Sequence, residues 1–73
     1  MSFSIPNGYV VFSGDGCKAC ETLKDKLKQK GLEFTEYNIW KDGEALKFMS
    51  SQGLKSIPQL FKDGVKIDVS SIT

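Results

Sequence analysis

Seventy-three residues, 40% apolar and 26% charged, leave room for one domain, spanning 1–73, and describe a globular chain rather than a fibrous or disordered one. Ten basic and nine acidic side chains, interspersed and netting +1, argue against nucleic acid or an acidic lipid surface as the main partner. No stretch is long and apolar enough to span a membrane, and Met1-Ser2-Phe3-Ser4-Ile5-Pro6 lacks the basic and apolar regions of a secretory signal, so a cytoplasmic location is expected.

Pro6-Asn7-Gly8 signals a turn, and Tyr9-Val10-Val11-Phe12 behind it is an unbroken β-prone run, the pattern of a central strand covered on both faces. Ser13-Gly14-Asp15-Gly16 reads as a flexible loop. It delivers Cys17 to the head of a helix reaching about Lys30, with Cys20, Leu23 and Leu27 as its apolar stripe and Gly31 as its stop. Residues 33–39 mix strand formers with Glu36 and Asn38, which suits an edge strand. Strand, helix and strand then form a βαβ unit with parallel strands and a right-handed crossover. Trp40 follows; packing at a strand end is the commoner reading of such a Trp and a contact to a partner the rarer one.

Asp42 is placed to cap a second helix ending at Gly53, with Ala45, Leu46, Phe48 and Met49 on its inner face. Ile57-Pro58-Gln59-Leu60-Phe61 predicts a third strand. Asp63-Gly64 predicts a tight turn into Val65-Lys66-Ile67-Asp68-Val69, whose strict alternation predicts a fourth strand antiparallel to the third. The four residues left allow one helical turn at most.

Cys17 and Cys20 are the only cysteines, set three apart at a helix start where they reach one another as a dithiol or disulfide. Thiol–disulfide exchange needs a thiolate attacker, a second thiol nearby and access for a substrate disulfide, and this spacing supplies all three. Cys17 sits where unpaired helix N–H groups and the adjacent Lys18 favour an anion, while Asp15 opposes it. Cys20, on the apolar stripe, is the more buried, resolving partner. Other readings remain open from the residues alone. Half a zinc site would need carboxylates or a second chain, since there is no His. A purely structural disulfide would close too short a loop to remove much chain entropy. Two ordinary buried thiols would not need a glycine loop.

The element order, the CxxC after the first strand and Ile57-Pro58-Gln59-Leu60-Phe61-Lys62-Asp63-Gly64 together resemble the glutaredoxin family of the thioredoxin fold, over about residues 8–68. The resemblance implies an α/β fold in β-α-β-α-β-β topology, with a four-stranded mixed sheet of order 2-1-3-4 and a last helix truncated or absent. It implies that Cys17 is the nucleophile and Cys20 the resolving thiol. It also implies that Pro58 is cis beside them, that the Ile57 backbone pairs with an extended substrate, and that glutathione is a co-substrate with no tightly bound cofactor or metal. Disulfide-containing proteins would be the partners of a monomer.

Three positions depart from the family pattern. Gly14 stands where a loop Lys is common, with Lys18 able to take over part of its task. Lys18-Ala19 replaces Pro-Tyr between the cysteines. Asp68-Val69 replaces the Gly-Gly that holds the γ-glutamyl carboxylate of glutathione, leaving Ser70 and Ser71 to offer backbone N–H groups and strand alternation to continue through Val69. These departures motivate a second enzymatic reading, an electron donor to ribonucleotide reductase recharged by thioredoxin reductase. A third reading, from a different class, is a module in which Cys17 of two chains bridges an iron–sulfur cluster.

Overall fold

The computed structural model describes residues 5–72. Residues 1–4, which carry most of the segment weighed as a secretory signal, lie outside that range, as does Thr73. In chain order the elements are β1 (Tyr9–Ser13), α1 (Lys18–Gln29), β2 (Phe34–Asn38), α2 (Gly43–Ser51), β3 (Gln59–Lys62) and β4 (Val65–Ile67), followed by a 3-10 turn, Val69–Ile72. The four strands form one mixed sheet ordered β2-β1-β3-β4. β1 runs parallel to β2 and antiparallel to β3, and β3 runs antiparallel to β4. The expected topology is therefore present, with β2 at an edge and β1 inside.

Alternation along β1 divides the core in two. Val10 and Phe12 pack with Ile39, Ala45, Met49 and Phe61 on the α2 side, whereas Val11 packs with Leu23, Leu27, Leu60 and Ile72 on the α1 side. Val10, Val11 and Phe12 are fully buried, as an unbroken apolar run between two covered faces requires. Phe12 stacks on Tyr37 and Phe48 at centroid separations of 5.6 and 5.5 Å and meets Phe61 edge-on at 5.4 Å. On the other face Ile72 covers the sheet beside α1, so one turn of 3-10 helix does part of the work of a longer final helix.

Local chemistry fixes the ends of the elements. Asp42 Oδ1 accepts from the backbone N–H of Glu44 and Ala45 at 3.1 and 3.2 Å, capping α2. Gly31, at φ 72°, closes α1, with the Leu32 N–H reaching back to the Leu27 carbonyl at 2.9 Å. Asp63 and Gly64 both have positive φ, 52° and 82°, the backbone of a two-residue turn matched to strand twist. Asp63 Oδ1 also accepts from the Gly8 N–H at 2.7 Å, which ties this hairpin to the chain entering β1.

Several boundaries differ from expectation. β2 is shorter by one residue at each end, and β3 begins at Gln59 because the segment before it turns at Ile57-Pro58. β4 stops at Ile67, where Asp68 caps the 3-10 turn: its Oδ1 accepts from the Ser70 N–H at 3.0 Å and its carbonyl from the Ser71 N–H at 2.9 Å. Leu46 is 41% exposed, not on the inner face of α2, whose buried positions are Ala45 and Met49.

Ser13, at the end of β1, is 1% exposed, and its hydroxyl donates to Glu36 Oε2 at 2.6 Å; the Lys24 ammonium, 2.8 Å from the same oxygen, also reaches Glu21 at 3.0 Å. Hydrogen bonds from Lys24 and then Ser13 hold the Glu36 carboxyl below its ordinary 4.5. A carboxylate with a lowered folded pKa adds stability above its unfolded pKa and loses it as pH falls through the folded one. Its pairing with Lys24 is partly solvent-screened, so most of its worth lies in satisfying the buried Ser13 hydroxyl. Glu36→Ala is expected to cost about 1–2 kcal/mol and to lower Tm by roughly 5–10 °C at neutral pH. In scanning calorimetry this deficit should shrink below about pH 4 as the wild-type carboxylate is itself protonated.

Candidate active site

The sheet topology gathers the chemistry at one end. β1 and β2 both finish there, β3 starts there, and β4, antiparallel to β3, also finishes there. Four connections therefore share that edge, and from the β2 side to the β4 side they carry Trp40, then Gly14 to Cys17, then Ile57-Pro58, then Asp68 to Ser70.

Cys17 is the N-cap of α1 and is joined to Cys20 by a disulfide with a Cα–Cα separation of 5.2 Å. The Cys17 sulfur accepts a hydrogen bond from the Cys20 backbone N–H at 3.1 Å. A sulfur in that position lies against the unpaired N–H groups and positive end of the helix dipole, an environment that favours thiolate over thiol once the disulfide is reduced. Cys20 is 1% exposed and packed into the interior side of α1, while Cys17 is partly exposed. Lys18 and Ala19 between them face solvent. The Asp15 carboxylate, expected to oppose a thiolate at Cys17, is engaged elsewhere: it accepts from Asn38 Nδ2 at 2.9 Å and lies 3.9 Å from the Lys41 ammonium.

The Ile57–Pro58 peptide is cis. The last β1–β3 pair is Phe12 with Gln59, so Pro58 and Ile57 continue alongside Ser13 and Gly14 just beyond the ladder. Gln59, 9% exposed, donates through Nε2 to the Ser56 carbonyl at 2.9 Å, bracing the turn that carries Ile57 and Pro58. A methyl built on Gly14 would collide with the Trp40 indole and lie 2.7 Å from Ile57 Cδ1. The missing side chain at position 14 thus has a physical cause, the indole resting over it, and Trp40 is 65% exposed on its outer side rather than packed within the core.

Ser70 and Ser71 are exposed at the β4 end of the edge, and their backbone N–H groups already donate to Asp68. The Ser70 backbone bond, above all, holds the Asp68 carboxyl below its ordinary value. A concavity of about 610 Å³ lies at the opposite end of the sheet, lined by Asn7, Tyr9, Leu32, Phe34 and Lys62 among others, and includes neither cysteine. Among the described residues no group of three or more His, Cys, Asp or Glu is placed to hold a metal ion, and no helix is long and apolar enough to cross a membrane.

Sequence reasoning raised a partner contact at Trp40 only as the lesser of two readings and did not find the contributions of Asn38 and Gln59. Only the exposed indole left a signal, as a lone Trp in a chain with a glycine-rich loop.

The family model described as Glutaredoxin matches residues 9–67. The chain belongs to the glutaredoxin family. A Synechocystis sp. protein named Probable glutaredoxin ssr2061 is 38% identical over 55 residues, a segment covering 73% of this chain and 62% of that protein. The chain thus spans less than two thirds of that curated relative. Among solved structures, the glutaredoxin-like protein NrdH-redoxin from Escherichia coli superposes with a TM-score of 0.79 at 18% identity over 88% of each chain. The buckwheat glutaredoxin–glutathione complex gives 0.73 at 23% identity, over 89% of this chain and 64% of that one. At these identities the two structures establish a shared fold. The chain is a glutaredoxin-family domain of thioredoxin fold with a disulfide-forming CxxC pair.

The contrast between the two sulfurs predicts an order of reaction. After reduction, limiting iodoacetamide near neutral pH should modify Cys17 well ahead of Cys20, as peptide mass spectrometry would show. Preferential labelling of Cys20 would reverse the assignment of roles.

Proposed function

We propose that this glutaredoxin-family chain is a thiol–disulfide oxidoreductase that reduces protein disulfides through Cys17 and Cys20. The observation that carries this reading is the Cys17–Cys20 pair at the N-terminus of α1, with the Cys17 sulfur taking the Cys20 N–H. In the dithiol form the Cys17 thiolate attacks one sulfur of a substrate disulfide; a new S–S bond forms, the substrate's own S–S bond breaks, and the displaced sulfur leaves as a thiolate that takes a proton from solvent. Cys20, deprotonated in turn, attacks the Cys17 sulfur. The mixed disulfide breaks, the second substrate sulfur leaves as a thiol, and the two electrons given up by the protein remain recorded as its Cys17–Cys20 disulfide. Ile57, with Pro58 behind it, stands outside the sheet ladder, where its backbone is available to an extended substrate segment. Lys18 lends positive charge beside the nucleophile.

Regeneration takes two electrons and two protons, from two glutathione thiols that leave as oxidised glutathione or from the dithiol of thioredoxin reductase. The second donor is favoured by one feature: Asp68 already occupies the N–H groups of Ser70 and Ser71 that a carboxylate of glutathione would need. One structural relative, NrdH-redoxin, is a glutaredoxin-like protein with a thioredoxin-like activity profile, which is in keeping with the second donor. The departures at Gly14 and Asp68-Val69 support service as an electron donor to ribonucleotide reductase as the second reading. A cytoplasmic site of action accords with reduced cysteines as the working state.

Cys17→Ser is expected to lower insulin disulfide reduction by at least about a hundredfold, and Cys20→Ser to accumulate a mixed disulfide visible by mass spectrometry. Full reductase activity in Cys17→Ser would refute the mechanism. Recharging should be faster with thioredoxin reductase and NADPH than with millimolar glutathione; rapid turnover on glutathione alone would instead favour glutathione as the physiological donor.

A further inference from the structure

The Trp40 indole is exposed, yet the turn that carries it is fixed by hydrogen bonds and the ring rests over Gly14. Asn38 accepts the Trp40 backbone N–H through Oδ1 at 2.9 Å while its Nδ2 donates to Asp15 in the cysteine loop at 2.9 Å. The Ile39 N–H donates to the Ser13 carbonyl at 2.8 Å, and the Lys41 and Asp42 N–H groups close on the Asn38 carbonyl at 3.0 and 2.8 Å. The turn that bears Trp40 is therefore bound to the loop that bears Cys17. Beneath the ring, Gly14 has no side chain to displace it, and Ile57 Cδ1 approaches the same spot. A large aromatic surface held rigid and left 65% in water is an unfavourable use of a Trp unless something covers it, and rigid Trp side chains are the strongest anchors at protein interfaces.

We infer that Trp40 selects the substrate: together with Ile57 it forms an apolar wall for an aromatic or large aliphatic side chain carried by an extended protein segment, close in sequence to the cysteine under attack. The inference rests on the exchange reading above and deepens it. The occupant is a protein segment for two reasons. The wall is continuous with Ile57, whose backbone lies beyond the β1–β3 ladder and is where an extended chain would add, and such a chain advances about 3.3 Å per residue, so a residue one to three places from the reacting cysteine spans the loop from Cys17 to Gly14. The wall is also uncharged, offering apolar contact where a small acidic thiol would need cations.

The test uses the full chain and two matched short peptides. Each carries one cysteine in a mixed disulfide with cysteamine, flanked by Phe in one and by Ala in the other. Wild type should reduce the Phe peptide with a kcat/KM roughly tenfold higher than the Ala peptide. In Trp40→Ala that ratio should fall to near one, and Trp40→Phe should keep most of it. Gly14→Ala, which leaves the indole intact but pushes it from its seat, should also lose the preference while circular dichroism reports an unchanged fold. Equal rates in wild type, or a preference that survives Trp40→Ala, overturn the inference and leave the exchange reading standing. Reduction of neither peptide overturns the exchange reading and the inference with it. A wild-type dimer in sedimentation that Trp40→Ala converts to monomer would assign the indole to a second copy of this chain and overturn the inference.

Discussion

Burial of β1 on both faces is the constraint on which the remaining structure depends. Val10, Val11 and Phe12 have no access to water, so each face of the strand must be covered by a different helix, and α1 and α2 must lie on opposite sides of the sheet. That arrangement places the start of α1 immediately beyond the end of β1, which is where a cysteine pair gains a helix N-terminus and an open edge at once. The same strand delivers Ser13 into the interior at the point where the loop leaves. A hydroxyl there needs a partner, and Glu36 from the edge strand supplies it with Lys24 of α1 as counter-charge. One polar cluster thus joins β1, β2 and α1 directly behind the cysteine loop.

What the sequence discloses follows from how local each determinant is. The Asp63-Gly64 turn, the Asp42 cap, the Gly31 stop and the Cys20, Leu23, Leu27 stripe are set by residues within a few positions of one another, and all are present. β4 failed at its end because alternation from Val65 to Val69 is equally consistent with a strand that stops at Ile67. Only the side chain of Asp68 closing on the Ser70 N–H decides the matter. Leu46 was misplaced because four apolar residues in a nine-residue helix exceed what one face needs; which of them is left out depends on where α2 sits on the sheet. The site divides in the same way. Cys17 and Cys20 announce themselves by spacing, and Ile57 and Pro58 enter only through the family resemblance, whereas the seating of Trp40 on Gly14 links residues twenty-six apart and has no local signature.

Gly14 and Asp68 read in the sequence as losses, positions where an expected ligand-holding group is missing. In the fold each is occupied by the chain itself. The indole of Trp40 covers the place above Gly14, and Asp68 takes the N–H groups that open the 3-10 turn. An N–H already bound to a carboxylate has little to offer a second one, because displacing Asp68 exchanges one charged hydrogen bond for another and leaves two like charges close together.

On the proposed reading, these two self-contacts bias recognition in the same direction. An incoming disulfide meets an apolar wall of Trp40 and Ile57 over Gly14, the sulfurs of the same loop, and then, on the β4 side, a fixed negative charge at Asp68. A small thiol with carboxylates at its ends encounters apolar surface on one side and repulsion on the other. An extended protein segment carries no obligatory charge and adds backbone pairing at Ile57 to apolar contact at Trp40, interactions that grow with the length of chain engaged. The chemistry of the CxxC pair is indifferent to which disulfide arrives, so discrimination has to come from these flanks. Because the two lie on opposite sides of the cysteines, they act on separate parts of the substrate, and their effects on selectivity combine rather than duplicate one another.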